Sequence, residues 1–342
     1  MFLSLYPTDC EETREGVVDA ARALGAEVFT SLHIPESDDL ASYGTYLADL
    51  HRREGLNFCA DISPTTLQKL SIGLDDLTLL HEWGVGIVRI DFGFTTDQVR
   101  RIADDGGFRI AINASTLTQA ELDALDGIDL VAWHNYYPRP ETGLSTGFFT
   151  NQNRLLADRG CAIYSFFPGE VSFRAPLGLG LPTLEHQRHR NAYVNHLELA
   201  TLAPGTGAGC AEGTLLPHHL EWIGRYERTG EITVPVAGLD PAVSFLLDGA
   251  RALRIEGTGI SHRIEGTRQP RNATRILNAD SREAGSLQMD TERTGRYCGE
   301  IHLMTTDRPL TADQVRVGQI ATPYRGLVDL LRPGAAVRFV RA

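Results

Sequence analysis

The 342-residue sequence predicts an α/β protein: a (β/α)8 TIM barrel over residues 1–230, then a smaller all-β domain over 231–342. Two observations carry this reading. Eight short β-rich runs alternate with longer amphipathic stretches at intervals of about 20 to 45 residues, which suits a closed parallel barrel better than an open doubly wound sheet. From Glu231 onward the texture changes to short strands broken by Gly and Pro, the signature of a compact, closed or nearly closed β domain.

In order, the β runs are Phe2–Tyr6, Glu27–His33, Asn57–Asp61, Ile87–Phe92, Arg109–Asn113, Leu130–Asn135, Ala162–Phe167 and a weak eighth at Ala208–Ala211. Helical periodicity marks Glu11–Leu24, Leu40–Glu54, Thr95–Asp105, Thr118–Leu125, Phe148–Arg159 and Leu215–Tyr226, with a further helix expected from near Thr183 to Leu202. In the second domain strands are expected at Ile232–Val236, Ala252–Glu256, Tyr297–Thr305, Val315–Ile320 and Val337–Val340, with a short helix at Tyr324–Leu331.

Composition narrows the function. The net charge is −12, and no Lys/Arg block compensates it, so nucleic acid and anionic lipid are poor partners. Lys69 is the only lysine, which argues against Schiff-base chemistry, whereas the arginines offer forked recognition of carboxylate and phosphate. No run of residues suits a bilayer span, and the N-terminal segment lacks the features of a signal peptide. Five scattered cysteines without a C-x-x-C pair read as reduced thiols, and a cytoplasmic location is expected.

Barrel chemistry gathers where strands end at their C-termini, and those positions here are polar. His33, Asp61, Asp91, Asn113 and His134-Asn135 close runs two to six; Glu170 follows the seventh and Glu212 the eighth. Two loops add to the ring. The first, His134 to Leu144, combines Tyr136, Tyr137, Arg139 and Glu141, an aromatic platform beside an acid/base group. The second, Pro168 to Glu185, places Arg174 and several glycines ahead of a helix start expected at Pro182-Thr183, and so suggests an anion site. The histidines of Glu185–His189 and His218-His219 lack zinc-helix spacing, Gly205–Gly209 does not follow a good strand, and no Gly-x-Ser-x-Gly elbow occurs. Neither a metal nor a cofactor is expected.

The segments Asp61–Pro64, Arg89–Phe94, Asn113–Ser115, His134–Leu144 and Gly180–Glu185 resemble, in this order, those of the bacterial 6-phospho-N-acetylmuramidases, once labelled outer surface proteins. Tyr297–Ile301 and Leu330–Gly334 are similar to the C-terminal domain of that family. Glu170 and Glu212 stand where aspartate is more usual, and Arg296 where asparagine is common.

The resemblance implies a cyclophilin-like second domain and a cytoplasmic, metal-independent glycosidase of cell-wall recycling. Its substrate would be a 6-phospho-N-acetylmuramyl-β-1,4-N-acetylglucosamine disaccharide.

Such hydrolysis uses two carboxyl groups. The catalytic candidates are Asp61, Asp91, Glu141, Glu170 and Glu212, with Glu141 read as an acid raised by burial and Asp61 or Asp91 as its partner. His33, Asn113, His134, Asn135, Tyr137, Arg139, Arg174 and Glu185 are the substrate-binding candidates, Arg139 and Arg174 for the phosphate and lactyl carboxylate. A homodimer is compatible with the chain. The competing readings are a sugar-phosphate isomerase or epimerase and a non-catalytic phosphosugar-binding protein.

Overall fold

The computed structural model describes residues 1–33, 39–90, 93–104, 106–203, 205, 207–273 and 280–342. Chain contacts divide it into two compact units, Met1–Leu220 and Glu221–Ala342.

The first unit is a closed eight-stranded parallel barrel in sequential order. Its strands are β1 (Phe2–Leu5), β2 (Glu27–Ser31), β3 (Phe58–Ile62), β4 (Val85–Ile90), β5 (Arg109–Asn113), β6 (Leu130–Trp133), β7 (Ala162–Phe167) and β8 (Gly207–Cys210), closed by the pairing of Phe2 with Gly209. Gly209 has a steric reason to be glycine: a Cβ there would meet the Phe2 ring at 2.3 Å. The helices of this unit are α1 (Glu11–Leu24), α2 (Leu40–Glu54), α3 (Pro64–Leu70), α4 (Thr78–Glu82), α5 (Thr96–Asp104), α6 (Gln119–Ala124), α7 (Thr146–Ala157) and α8 (Ala192–Leu202), and α9 (Pro217–Thr229) runs across the division. The sequence left out α3 and α4. Ser63 caps α3 with a capping box and Pro64 occupies its first turn, so the helix is locally well specified despite its length.

Alternate strand residues fill the barrel. Phe2, Phe29, Cys59, Ile87, Ala111, Trp133 and Phe166 form one buried cluster, in which Trp133 stacks on Phe29 and Tyr164 at centroid distances of 5.5 and 4.6 Å. This layer is the floor beneath the mouth.

One expected helix is corrected. The stretch from Thr183 is not continuous with α8: a short 3-10 turn, Glu185–Gln187, precedes a break, and α8 starts at Ala192 with Asn191 as its cap. Thr183 is spent elsewhere, its Oγ1 accepting from Phe166 N and donating to Asn135 O, both at 2.9 Å. The helix terminus expected to build an anion site at Pro182-Thr183 is therefore absent from that position.

In the second unit seven strands form a sheet in the order β10–β17–β9–β16–β13–β14–β11. They are β9 (Ile232–Ala237), β10 (Ala250–Ala252), β11 (Ser261–Arg263), β13 (Ser286–Asp290), β14 (Ile301–Met304), β16 (Gln314–Ile320) and β17 (Ala336–Arg341); the pair β12 (Ser281–Arg282) and β15 (Arg308–Pro309) stands apart. A bridge between Leu253 and Ile264 joins the two edges of the sheet, giving the nearly closed form expected. The strand expected at Ala252–Glu256 ends at Ala252, and Tyr297 lies in a 3-10 segment ahead of β14. The helix expected at Tyr324–Leu331 is a 3-10 segment, Thr322–Asp329.

Candidate active site

Strand parity sets which side chains reach the barrel mouth. Residues two beyond the interior layer continue on the same face, so Asp61 follows Cys59, Arg89 follows Ile87, Asn113 follows Ala111 and Asn135 follows Trp133. Asp61 and Arg89 form a buried ion pair, Arg89 Nη1 to Asp61 Oδ1 at 2.7 Å. The other Arg89 Nη donates to Asn135 Oδ1, joining β3, β4 and the loop after β6. His33 sits beside this group, its Nδ1 2.8 Å from Ser63 Oγ. Asn113 Oδ1 accepts from Ser115 N at 3.0 Å, which shapes the turn after β5. Asp91 lies outside the described residues.

A second group stands on the strands that close the barrel. Tyr6 donates its hydroxyl to Ala211 O at 2.7 Å, and its ring carries the Arg174 guanidinium 4.3 Å from the centroid. Arg174 Nη1 donates to Tyr136 Oη at 2.8 Å, and its backbone N–H donates to Glu212 Oε2 at 2.6 Å. Glu212 is buried, and among the described residues its second oxygen, Oε1, has no hydrogen-bond partner. Burial pushes its carboxyl up to about 7, against the opposing N–H groups of Arg174 and Leu181. Burial also raises Tyr136, which feels Arg174 on one side and the Asp61–Arg89 pair on the other, so it links the two groups electrostatically. Asp9, whose Oδ2 accepts Tyr6 N at 2.8 Å, is likewise raised by burial.

Three candidates turn out to brace the loops. Glu185 holds Arg188 in a fork, with Oε1 to Nε and Oε2 to Nη2 both at 2.7 Å, and also accepts Gly143 N at 2.8 Å. Arg188 holds the Glu185 carboxyl down to about 2. The buried Arg188 spends its remaining donors on Tyr137 O and Gly180 O, tying the loop after β6 to the loop after β7. Glu170 accepts from His219 Nδ1 at 2.7 Å and Leu216 N at 3.3 Å. Burial would raise it, but His219 and these N–H groups hold it below the usual carboxylate range.

His134 has the opposite parity to Asn135 and faces α7: its Nε2 is 2.7 Å from Asn153 Oδ1 and its Nδ1 3.1 Å from Ser115 Oγ. Burial lowers it to about 4, so the ring is neutral. It supports the turn that aims Asn135, since Ser115 Oγ also accepts Asn135 N at 2.9 Å.

Glu141 is exposed, with left-handed backbone at φ 65°, and is not the buried carboxyl expected of an acid raised by burial. Tyr137 is half-buried, its backbone N–H donating to Pro182 O at 2.9 Å. Arg139 is exposed, and no carboxylate pairs with it among the described residues.

Arg89, Tyr6, Tyr136 and Asp9 were not among the sequence candidates. A lone arginine in the apolar run Val85–Ile90, on the parity of Ile87, was the available signal for Arg89. Tyr6 and Asp9 close the first strand, the one strand end passed over.

Among the described residues, the group of His, Cys, Asp or Glu side chains close enough to share a metal ion is Asp290, Glu300 and His302 of the second unit. Arg268 Nε already lies 3.1 Å from Glu300 Oε1.

The family model described as "6-phospho-N-acetylmuramidase, N-terminal" matches residues 3–203, more than half of the chain and all but the last barrel strand. The chain belongs to this family. No curated protein matches it. Among solved structures, a conserved Enterococcus faecalis protein of unknown function is 30% identical with a TM-score of 0.84, over 99% of this chain and 96% of that one. An uncharacterised B. cereus protein is 21% identical with a TM-score of 0.78, over 99% and 98% of the two chains, and shares the fold. Membership of the 6-phospho-N-acetylmuramidase family suggests a glycosidase on this barrel. No described helix is long and apolar enough to cross a membrane.

Proposed function

We propose that the protein is a cytoplasmic glycoside hydrolase that cleaves 6-phospho-N-acetylmuramyl-β-1,4-N-acetylglucosamine in peptidoglycan recycling. The observation that carries this reading is Glu212: a buried carboxyl just beyond the last barrel strand, raised to about 7, with Oε2 fixed by a main-chain N–H and the buried Oε1 without a hydrogen-bond partner among the described residues. Such a group holds a proton near neutral pH and can deliver it to a glycosidic oxygen. Asp61, ion-paired with Arg89, enters as the carboxylate of the reaction. It acts on the anomeric carbon, on water, or on the acetamido group of the substrate. Tyr136 offers a ring face, and Arg174, held over the buried Tyr6 ring, and Arg139 supply cations for the phosphate and the lactyl carboxylate. The second unit is read as cyclophilin-like on the near closure of its seven-stranded sheet.

The test is turnover of the phosphorylated disaccharide by purified protein, beside the unphosphorylated one, with Glu212→Gln as control. Cleavage of the phosphorylated sugar alone, reduced about 10²-fold or more in the variant, is expected. Equal rates on both sugars would remove the phosphate from the reading, full activity in E212Q would remove the assigned acid, and binding without turnover would leave a phosphosugar-binding protein.

A further inference from the structure

The second unit has a polar sheet face whose central strand is withdrawn from water. On β13 the alternation places Leu287 and Met289 in the core and sends Ser286, Gln288 and Asp290 to the other face. Across the sheet Gln288 stands opposite His302 on β14 and Arg316 on β16, and Asp290 opposite Gln314. The second face of a small antiparallel sheet ordinarily meets water. Here Gln288 and Asp290 are 2% and 6% exposed. Gln288 belongs to the floor of a cavity of about 1020 Å³, large enough for a sugar-sized molecule, to whose lining Gln314 and Arg316 also contribute, with Asp290 beneath them.

The floor is organised before any ligand arrives. Gln314 Nε2 donates to Asp290 Oδ1 at 2.7 Å while its Oε1 accepts from Arg282 at 2.6 Å, and Gln288 Nε2 donates to Ser286 Oγ at 2.9 Å. Arg316 is held by Gln319 Oε1 at 2.6 Å and Glu283 at 3.1 Å. Amides fixed in this way present defined donors and acceptors to hydroxyl groups.

The wall adds a cation, Arg271. Arg271 donates to Thr267 O at 2.8 Å and to Gln269 Oε1 at 3.0 Å, and its guanidinium lies 4.1 Å from the centroid of the Phe245 ring. Among the described residues no carboxylate pairs with it. Arg293, also on the wall, is shared with Asp313 at 3.2 Å. The cavity lining carries Asp280 and Glu292 beside Arg271, Arg293 and Arg316, and Arg271, fixed by neutral groups, is the cation on which an anionic group would settle.

We propose that this cavity is a second ligand site that takes a small hydroxyl-rich anion, a sugar carrying one phosphate or one carboxylate group. The site shares no residue with the barrel mouth and does not depend on the glycosidase reading.

The chain has only three methionines, and one of them, Met289, packs in the core beneath β13, the strand that borders the cavity, so methyl-labelled methionine in the full-length protein gives a probe of the floor. Met289→Leu assigns the signal. The additions are N-acetylglucosamine 6-phosphate, N-acetylmuramic acid, N-acetylglucosamine and inorganic phosphate, each at millimolar concentration. A saturable shift of the Met289 signal is expected with one or both of the charged sugars, and which one responds identifies the anion.

Arg271→Ala should weaken that response about tenfold or more, the size of a lost charge-assisted contact. Glu212→Gln should leave it unchanged, so failure at the barrel mouth and failure here read separately. No shift with either charged sugar, an equal response to the neutral sugar, a response to inorganic phosphate alone, or an unchanged response in a folded R271A protein would overturn the proposal.

Discussion

Arg174 gives its main-chain N–H to Glu212 at 2.6 Å and turns its guanidinium away, onto Tyr136 at 2.8 Å and the Tyr6 ring. One residue therefore holds the Glu212 carboxyl in place without neutralising it through a direct ion pair. The charge of Arg174 still lowers the Glu212 carboxyl from a distance, but less than burial raises it. Arg174→Ala keeps the main-chain donor and deletes the charge, so the Glu212 carboxyl should move further up. The alkaline limb of the kcat/KM profile, where the acid loses its proton, is expected to shift to higher pH, together with a rise in KM. A limb that stays in place or moves down would show that another group carries the proton.

The same carboxyl predicts an unusual stability profile. The unfolded chain releases this proton near the ordinary value of 4.5, whereas the folded protein keeps it to about 7. Between these pH values the folded state binds more protons than the unfolded one, so this contribution is full below about pH 4.5 and is lost as pH rises through about 7. The shift corresponds to about 3 kcal/mol. Chemical denaturation of the protein and of E212Q across this range should show the difference drifting toward the native protein as the pH falls. A constant difference would mean that Glu212 titrates as an ordinary glutamate.

Asp61 and Arg89 form the other half of the mouth, and their burial makes removal of one partner costly. Arg89→Met strands a carboxylate away from water and should destabilise the protein by about 3–5 kcal/mol. D61N combined with R89M removes both charges and should recover much of that loss while leaving the protein inactive. Urea unfolding of the native protein and of the two variants checks this. A single R89M variant as stable as the native protein would place the pair in a wetter site than its burial indicates.

The barrel and most of its mouth were legible because strand side chains alternate. Once Phe29, Cys59, Ile87, Ala111 and Trp133 are read as interior, His33, Asp61, Arg89, Asn113 and Asn135 follow on the same face. The same period explains why His134, one residue out of phase, faces α7 instead. Glu212 was legible as a polar residue after a strand, but its altered proton affinity was not. That property comes from burial and from the N–H groups of Arg174 and Leu181, contacts made at long range.

Arg188 was hidden for a similar reason: it is bound to carbonyls of two loops that meet only in the folded chain. In the second unit the strand Ser286–Asp290 alternates cleanly, but both of its faces are buried, one of them polar, and it lacks the β-branched residues that mark a strand by composition.

The Glu185–Arg188 fork ties together the loops that carry Tyr136 and Arg174, so its loss should reach the chemistry through position. Glu185→Gln keeps an acceptor for Gly143 N but gives up the charge, and the partly exposed site limits the stability cost to about 1–2 kcal/mol. With the carboxyl held down to about 2, its contribution is full above the ordinary value of 4.5 and is lost as pH falls through about 2. The native protein should therefore lose this part of its stability in acid, and E185Q should not. At neutral pH the variant is expected to show a raised KM with a smaller change in kcat, because the acid and its partner carboxylate are untouched while the loops binding the sugar loosen. A fall in kcat as large as that of E212Q, with KM unchanged, would instead place Glu185 among the reacting groups.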